Sequence, residues 1–151
     1  MLYESAAIVE YIEDKWPESP LFSGDPQQRA IERRIIREVD QYLAEPMERL
    51  VEAVLFTEPG QRRPAHIEAA YAGIGRELAF WETRVAGDFL AGKLSAADFT
   101  LFPLIALTQR IGARHAGLEP PGLLGANITT WMARMTALPV VQATWPPHWR
   151  T

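Results

Sequence analysis

The stretch from Phe99 to about Ile111 is apolar nearly all the way round. A helix with no polar side has to be enclosed, so the rest of the chain must build a shell around it. The start of this helix is marked by side chains of the right type and spacing. Ser95 suits the N-cap, and Asp98 can reach back to the Ser95 backbone N–H in a capping box. Leu94 and Phe99 bracket the cap as a hydrophobic staple. Pro103 bends the helix or sits early enough to be tolerated.

The shell reads as helical too. Between Ser5 and Trp16, Ile8, Tyr11 and Ile12 lie on one side, and Pro17 and Pro20 close the segment. Leu21 and Phe22 are apolar anchors in the linker that follows. Asp25 then suits an N-cap, Pro26 a first helical position, and Gln28 the place of a capping-box partner. Ile31, Ile35, Val39, Tyr42 or Leu43, Met47, Leu50 and Val54 continue one apolar face to about Phe56. Pro46 inside that face predicts a kink.

A further helix begins at Pro64. Its Ile67, Tyr71, Ile74, Leu78, Trp81 and Val85 recur every three or four residues, a narrow packing seam that Gly87 ends. Gly112 to Gly125 reads as a loop. Asn127 caps a short helix with Ile128, Trp131, Met132 and Met135, and Pro139 opens a last turn or two before the stiff Trp145–Trp149 tail. No stretch alternates usefully as a strand, so the expected fold class is all-α.

Length favours one domain: 151 residues. The net charge of −4, from 15 basic and 19 acidic residues, argues against nucleic acid, which calls for a basic face. Arg29, Arg33, Arg34 and Arg37 alternate with Glu32 and Glu38, the pattern of a solvated helix face with ion pairs. Without cysteine there is no disulfide, thiolate metal site or cysteine nucleophile. The longest apolar run, Leu101 to Leu107, is far short of the roughly 20 residues of a membrane span. Nothing reads as a signal peptide. His66, His115 and His148 are far apart in the chain and lack the spacing of metal ligands or acid–base pairs, so no metal is expected.

Taken in order, several segments resemble the glutathione transferase superfamily. Leu2-Tyr3-Glu4-Ser5-Ala6-Ala7-Ile8 is similar to that family's E-S-x-A-I segment. Pro20-Leu21 matches its linker. Phe89-Leu90-Ala91-Gly92 with Ser95-Ala96-Ala97-Asp98 resembles its capping-box and staple element, and Trp131, Met135 and Pro139 its late helices.

The resemblance implies residues 1–17 as the last helix of a thioredoxin-like domain, 18–25 as linker and 26–151 as the helical C-terminal domain. The rest of the thioredoxin-like domain, with the family's catalytic Ser, Tyr or Cys, would lie upstream, so no catalytic residue is assigned here. It also implies glutathione as co-substrate and an apolar electrophile as acceptor, in a cytoplasmic homodimer. Glu4 would pair with the α-ammonium of the glutamyl unit. Ser5 and neighbouring N–H groups would take its carboxylate, as a helix N-terminus is suited to do, whereas by residue type alone Ser5 reads as a plain N-cap and Glu4 as solvated. The Trp and Met positions read as core by residue type and spacing; the resemblance implies a second reading, in which Tyr42, Met47 and the Trp145–Trp149 tail line an acceptor pocket. The alternative is a non-catalytic module of the same fold that serves protein assembly. Without a sheet beneath them, Ile8, Tyr11 and Ile12 would form an exposed apolar patch, or their helix would fold back on Leu21 and Phe22.

Overall fold

The computed structural model describes residues 1–85, 87–115, 117–118 and 122–149. Among them there are helices and no strands. They are α1 (Ser5–Lys15), α2 (Pro26–Glu38), a π-helical turn (Val39–Leu43), α3 (Ala44–Val54), α4 (Pro64–Glu82), α5 (Ala96–Arg114), α6 (Ala126–Ala137) and α7 (Pro139–Thr144). Short 3₁₀ turns occur at Pro59–Gln61 and Pro147–Trp149.

The all-round apolar helix sits where its composition requires. Leu101, Phe102, Ile105, Ala106 and Ile111 of α5 are buried, and α2, α3 and α6 pack around it. At roughly 1.5–3 kcal/mol for each large apolar side chain, burial of this kind is the main force holding the bundle. The capping box at its start is formed, and the Ser95 N–H donates to Asp98 Oδ2 at 3.0 Å. Leu94 stays exposed and Phe99 is half-buried, so the flanking pair buries less than a full staple would. Pro103 is exposed within an uninterrupted α5, which also runs past Gly112 to Arg114. The expected loop thus starts later than Gly112. Ala116 and residues 119–121 of it lie outside the described residues.

Asp25 caps α2 as its type predicts: Oδ1 accepts from the N–H of Gln27 at 2.7 Å and of Gln28 at 3.3 Å. Gln28 does not complete the box. Its Nε2 donates to the Ala91 carbonyl instead, and so ties α2 to the segment before α5. Glu32 is a second correction. It is buried rather than solvated, and its carboxylate accepts from the Ser23 N–H at 2.8 Å. Arg33 and Arg34 do lie on an ion-paired face, with Glu10 and Glu38.

Pro46 leaves its mark one turn upstream. It has no N–H to offer the Tyr42 carbonyl, and its ring would press on that carbonyl in a regular helix. The chain widens there into the π-turn, where the Ala44 N–H reaches back five residues to the Val39 carbonyl.

The α4 seam is buried as its spacing predicts, at Ile67, Tyr71, Ile74, Leu78 and Trp81, with Val85 just beyond the helix. Gly73 on α4 lets the helix lie against Pro46. A Cβ there would come within 2.8 Å of the Pro46 Cβ. Asn127 is not the cap of α6. Gly125 holds that position, and Glu82 from the end of α4 caps the helix, accepting from the N–H of Asn127 at 2.7 Å and of Ile128 at 3.0 Å. No described helix is long and apolar enough to cross a membrane.

Candidate functional site

The N-terminus of α1 carries the residues that sequence reasoning singled out. Glu4 is the N-cap, with φ 70° and ψ 115°, the one described non-glycine residue with a positive φ. That conformation is strained for a residue with a Cβ, and Glu4 adopts it at an exposed position. Ser5 is the first residue of the helix rather than its cap. The helical ladder opens with the Ile8 N–H donating to the Glu4 carbonyl at 3.0 Å. The N–H groups of Ser5, Ala6 and Ala7 therefore precede the ladder and point along the helix axis with its positive end.

Two carboxylates farther along α1 anchor the helix, one in its middle and one in its last turn. Glu10 receives both a 2.7 Å bond from Arg33 Nε and a 2.6 Å bond from Arg33 Nη2. That hydrogen bonding holds the Glu10 carboxyl below its ordinary value, against a smaller opposing effect of burial. Glu13 accepts from the backbone N–H groups of Leu21 at 2.8 Å and Phe22 at 3.3 Å, and so straps the helix to the linker. Ala6 and Val9 pack on the core. The opposite side is left open: Ile8, Tyr11 and Ile12 are 37%, 50% and 41% exposed, and the helix does not bury them on Leu21 and Phe22.

Between α1 and α2 lies a depression of about 290 Å³ whose lining includes Glu4, Glu10, Arg33 and Arg37. Both signs of charge thus stand within one small concavity beside the helix terminus. Asp40 adds to it. Burial pushes its carboxyl up, Arg37 opposes the shift, and the charge of Glu4 reinforces it.

The expected acceptor pocket does not assemble as a unit. Met47 is buried in the core, where its Sδ accepts from Thr108 Oγ1 at 2.7 Å, so it cannot line an open pocket. Tyr42 is exposed on the π-turn. Trp145 and Trp149 pack edge to face and border an apolar groove of about 470 Å³ with Phe99, Phe102 and Val140, which Tyr42 does not line. His66 borders a separate groove between α3 and α4. His115 and His148, distant in sequence, meet in one groove at the end of α5. No cluster of three or more metal-ligating side chains occurs among the described residues.

Sequence reasoning missed the Glu82 cap, the burial of Glu32 and the meeting of His115 with His148. None of the three had a local signal, since each rests on a partner nine or more residues away.

The bundle, with a core helix entered through a capping box and fed by a Pro-Leu linker, is the helical domain of the glutathione transferase fold. The model of the glutathione S-transferase C-terminal domain matches residues 64–143, more than half of the chain, and the chain belongs to that family. Solved structures agree. The theta class glutathione S-transferase from the citrus canker pathogen Xanthomonas axonopodis pv. citri, in its apo form, is 27% identical with a TM-score of 0.78. The match covers 94% of this chain and 73% of that one. The same enzyme with glutathione bound gives 27% and 0.77, over 94% and 72% of the two chains. A glutathione S-transferase from the Antarctic clam Laternula elliptica is 27% identical with a TM-score of 0.72, over 99% of this chain and 66% of that one. No curated protein matches the chain by sequence.

Proposed function

We propose that this chain forms the helical part of a glutathione transferase, and that Glu4 and Ser5 hold the glutamyl head of glutathione. The observation that carries the reading is the conformation of Glu4, held at φ 70° directly before a helix whose first N–H groups precede the ladder. Strain at such a point needs a purpose, and recognition of a zwitterion is one that the neighbouring groups suit. The Ser5 hydroxyl and the N–H groups of the first turn match a carboxylate, and the Glu4 carboxylate matches an ammonium.

In the reaction, glutathione supplies a thiolate that attacks an apolar electrophile. This chain's part is to bind and orient the glutamyl end. Residues 1–17 act as the last helix of a thioredoxin-like domain, 18–25 as linker and 26–151 as the helical domain. The open side of Ile8, Tyr11 and Ile12 supports this division, since it is the side a sheet would cover. The glutathione-bound relative from Xanthomonas supports the choice of ligand.

Calorimetry with glutathione tests the reading. The chain by itself should bind weakly or not at all. Joined behind a thioredoxin-like domain it should bind, and Glu4→Ala or Ser5→Ala should then cost about 1–3 kcal/mol as charged hydrogen bonds are lost. Binding by the joined protein that ignores both substitutions overturns the assignment of these residues.

A further inference from the structure

A separate groove of about 680 Å³ lies between the linker, the first two turns of α2 and the loop before α5. Its size falls within the span of roughly 300–1,000 Å³ common for small-molecule sites. Leu21 of the linker and Leu94 of the loop give it apolar walls. Leu94 is left open to water there, and Leu21 is half-buried. Neither Glu4 nor Ser5 lines the groove, so this site and the glutamyl site stand or fall separately.

The polar wall comes from α2. Asp25, Gln28 and Glu32 follow at three- and four-residue spacing and share one face. All three offer oxygen acceptors to the groove. Asp25 spends Oδ1 on the N–H groups of Gln27 and Gln28. Gln28 gives its Nε2 to the Ala91 carbonyl, which leaves its amide oxygen. Glu32 is only 2% exposed, and its Oε2 accepts from the Ser23 N–H at 2.8 Å. That bond leaves Oε1 to other donors.

Charge sets Glu32 apart. A carboxylate buried this far is ordinarily met by a cation. The two arginines nearest it in sequence are engaged elsewhere. Arg29 Nε donates to the Ser23 carbonyl at 2.8 Å, and Arg33 pairs with Glu10. Neither Glu32 nor Asp25 takes part in an ion pair among the described residues. Lys93 lines the groove but is exposed at its rim. The helix terminus calls for no outside anion, because Asp25 already occupies its first N–H groups.

We propose that this groove binds small primary amines in their ammonium form. The three N–H donors of the ammonium meet the oxygens of Glu32, Gln28 and Asp25, and a short apolar body lies along Leu21 and Leu94. The ligand supplies the positive charge that the chain withholds from Glu32.

Calorimetry on the whole chain tests this with three probes of one shape: phenethylamine, the uncharged 2-phenylethanol and the anionic 3-phenylpropionate. The amine should bind about tenfold more tightly than the alcohol, as expected for charged hydrogen bonds to a buried carboxylate, and the anion more weakly still. Glu32→Gln keeps an oxygen for the Ser23 N–H and removes the charge. It should weaken the amine by about tenfold and leave the alcohol unchanged. Lys93→Gln removes a like charge from an exposed rim position and should tighten the amine by about twofold, an effect that salt erodes. Circular dichroism establishes that the variants fold. Asp25→Asn, which keeps the helix cap, replaces Glu32→Gln if that variant does not fold, and should weaken the amine by about threefold. No binding of the amine, equal affinity for amine and alcohol, a preference for the anion, or indifference of the amine to the loss of the carboxylate charge overturns the proposal.

Discussion

The indole Nε1 of Trp131 donates to Asp98 Oδ1 at 3.0 Å, deep in the core between α6 and α5. The same oxygen accepts from the Leu90 N–H at 3.0 Å, and Oδ2 accepts from the Ser95 N–H at 3.0 Å. One carboxylate therefore ties together the segment before α5, the cap of α5 and the middle of α6. Asp98→Ala strands two buried donors and a half-buried one at once and should cost about 2–4 kcal/mol. Ser95→Ala loses only a hydroxyl that stands 3.4 Å from Oδ2 and the cap's own contact, so about 1 kcal/mol is expected. The double variant should fall short of the sum, because the two share partners. Urea melts of the three proteins decide. A Ser95→Ala cost equal to that of Asp98→Ala would mean that the carboxylate does no more than cap.

Asp98 also sets a pH dependence. Burial raises its folded-state pKa, outweighing the opposing hydrogen bonds from Leu90, Trp131 and Ser95. A carboxyl raised on folding binds its proton more readily in the native state than in the unfolded one, so its contribution to stability grows as pH falls. The window runs from the raised folded value down to the ordinary aspartate value of 3.8. Stability of the wild type minus that of Asp98→Asn should therefore increase on acidification through this window and level off below it. Chemical denaturation at a series of pH values reads the difference, and a decrease would sink the argument.

Gly125 and Glu82 form a second long-range pair. A Cβ at Gly125 would land on the Glu82 carboxylate that caps α6. Gly125→Ala should cost about 1–2 kcal/mol by expelling that cap, and Glu82→Ala a similar amount. With Glu82 already replaced, Gly125→Ala should cost little. Full additivity in thermal melts would show that the glycine serves some other purpose.

Local and distant chemistry separate at these caps. Asp25 and the pair Ser95 and Asp98 were legible because donor and acceptor lie within three residues of each other. Glu82 was not, since its partners Asn127 and Ile128 stand 45 and 46 residues away. Asn127 has the right residue type for a cap, and only the approach of α4 explains why Gly125 takes the position instead. Spacing placed Met47 on the apolar face of its helix but could not tell whether that face met a pocket or the core. At the candidate site, the letters Glu-Ser suggested a helix start, only the resemblance implied a ligand, and neither gave a hint that Glu4 would adopt a positive φ.

Two glycines of α4 should behave oppositely. Gly73→Ala forces a methyl to 2.8 Å from Pro46 on α3 and should destabilise by about 1–3 kcal/mol, in excess of any gain in helix propensity. Gly75→Ala meets only Leu123 Cδ1 at an ordinary 3.7 Å, so propensity should prevail and stability should rise by up to about 1 kcal/mol. Paired melting curves provide the comparison, and a stabilised Gly73→Ala would contradict the close crossing.

Glu13 should control α1 without controlling the bundle. Glu13→Ala removes the acceptor for the Leu21 and Phe22 N–H groups and should loosen the helix by about 1–2 kcal/mol. Hydrogen exchange should quicken in α1 while α4 and α5 keep their protection, since little of α1 is buried. Uniform loss of protection would mean that the helix is integral to the cooperative core.

The π-turn at Val39–Leu43 gives the arm from Pro26 to Val54 a change of phase. An extra residue in one turn rotates everything beyond it by about 100°. Before the turn the arm packs mainly on α5, and after it mainly on α4. An unbroken helix would have to choose one of these neighbours or sacrifice the fit to both. Deleting Asp40 should close the turn into a regular ladder and leave Met47, Leu50 and Val54 on the face they now fill, because the lost residue and the lost widening offset each other, whereas straightening the turn with all its residues kept would swing them away. This arm should accordingly accept the loss of one residue at the π-turn, and a change in its number of residues almost nowhere else.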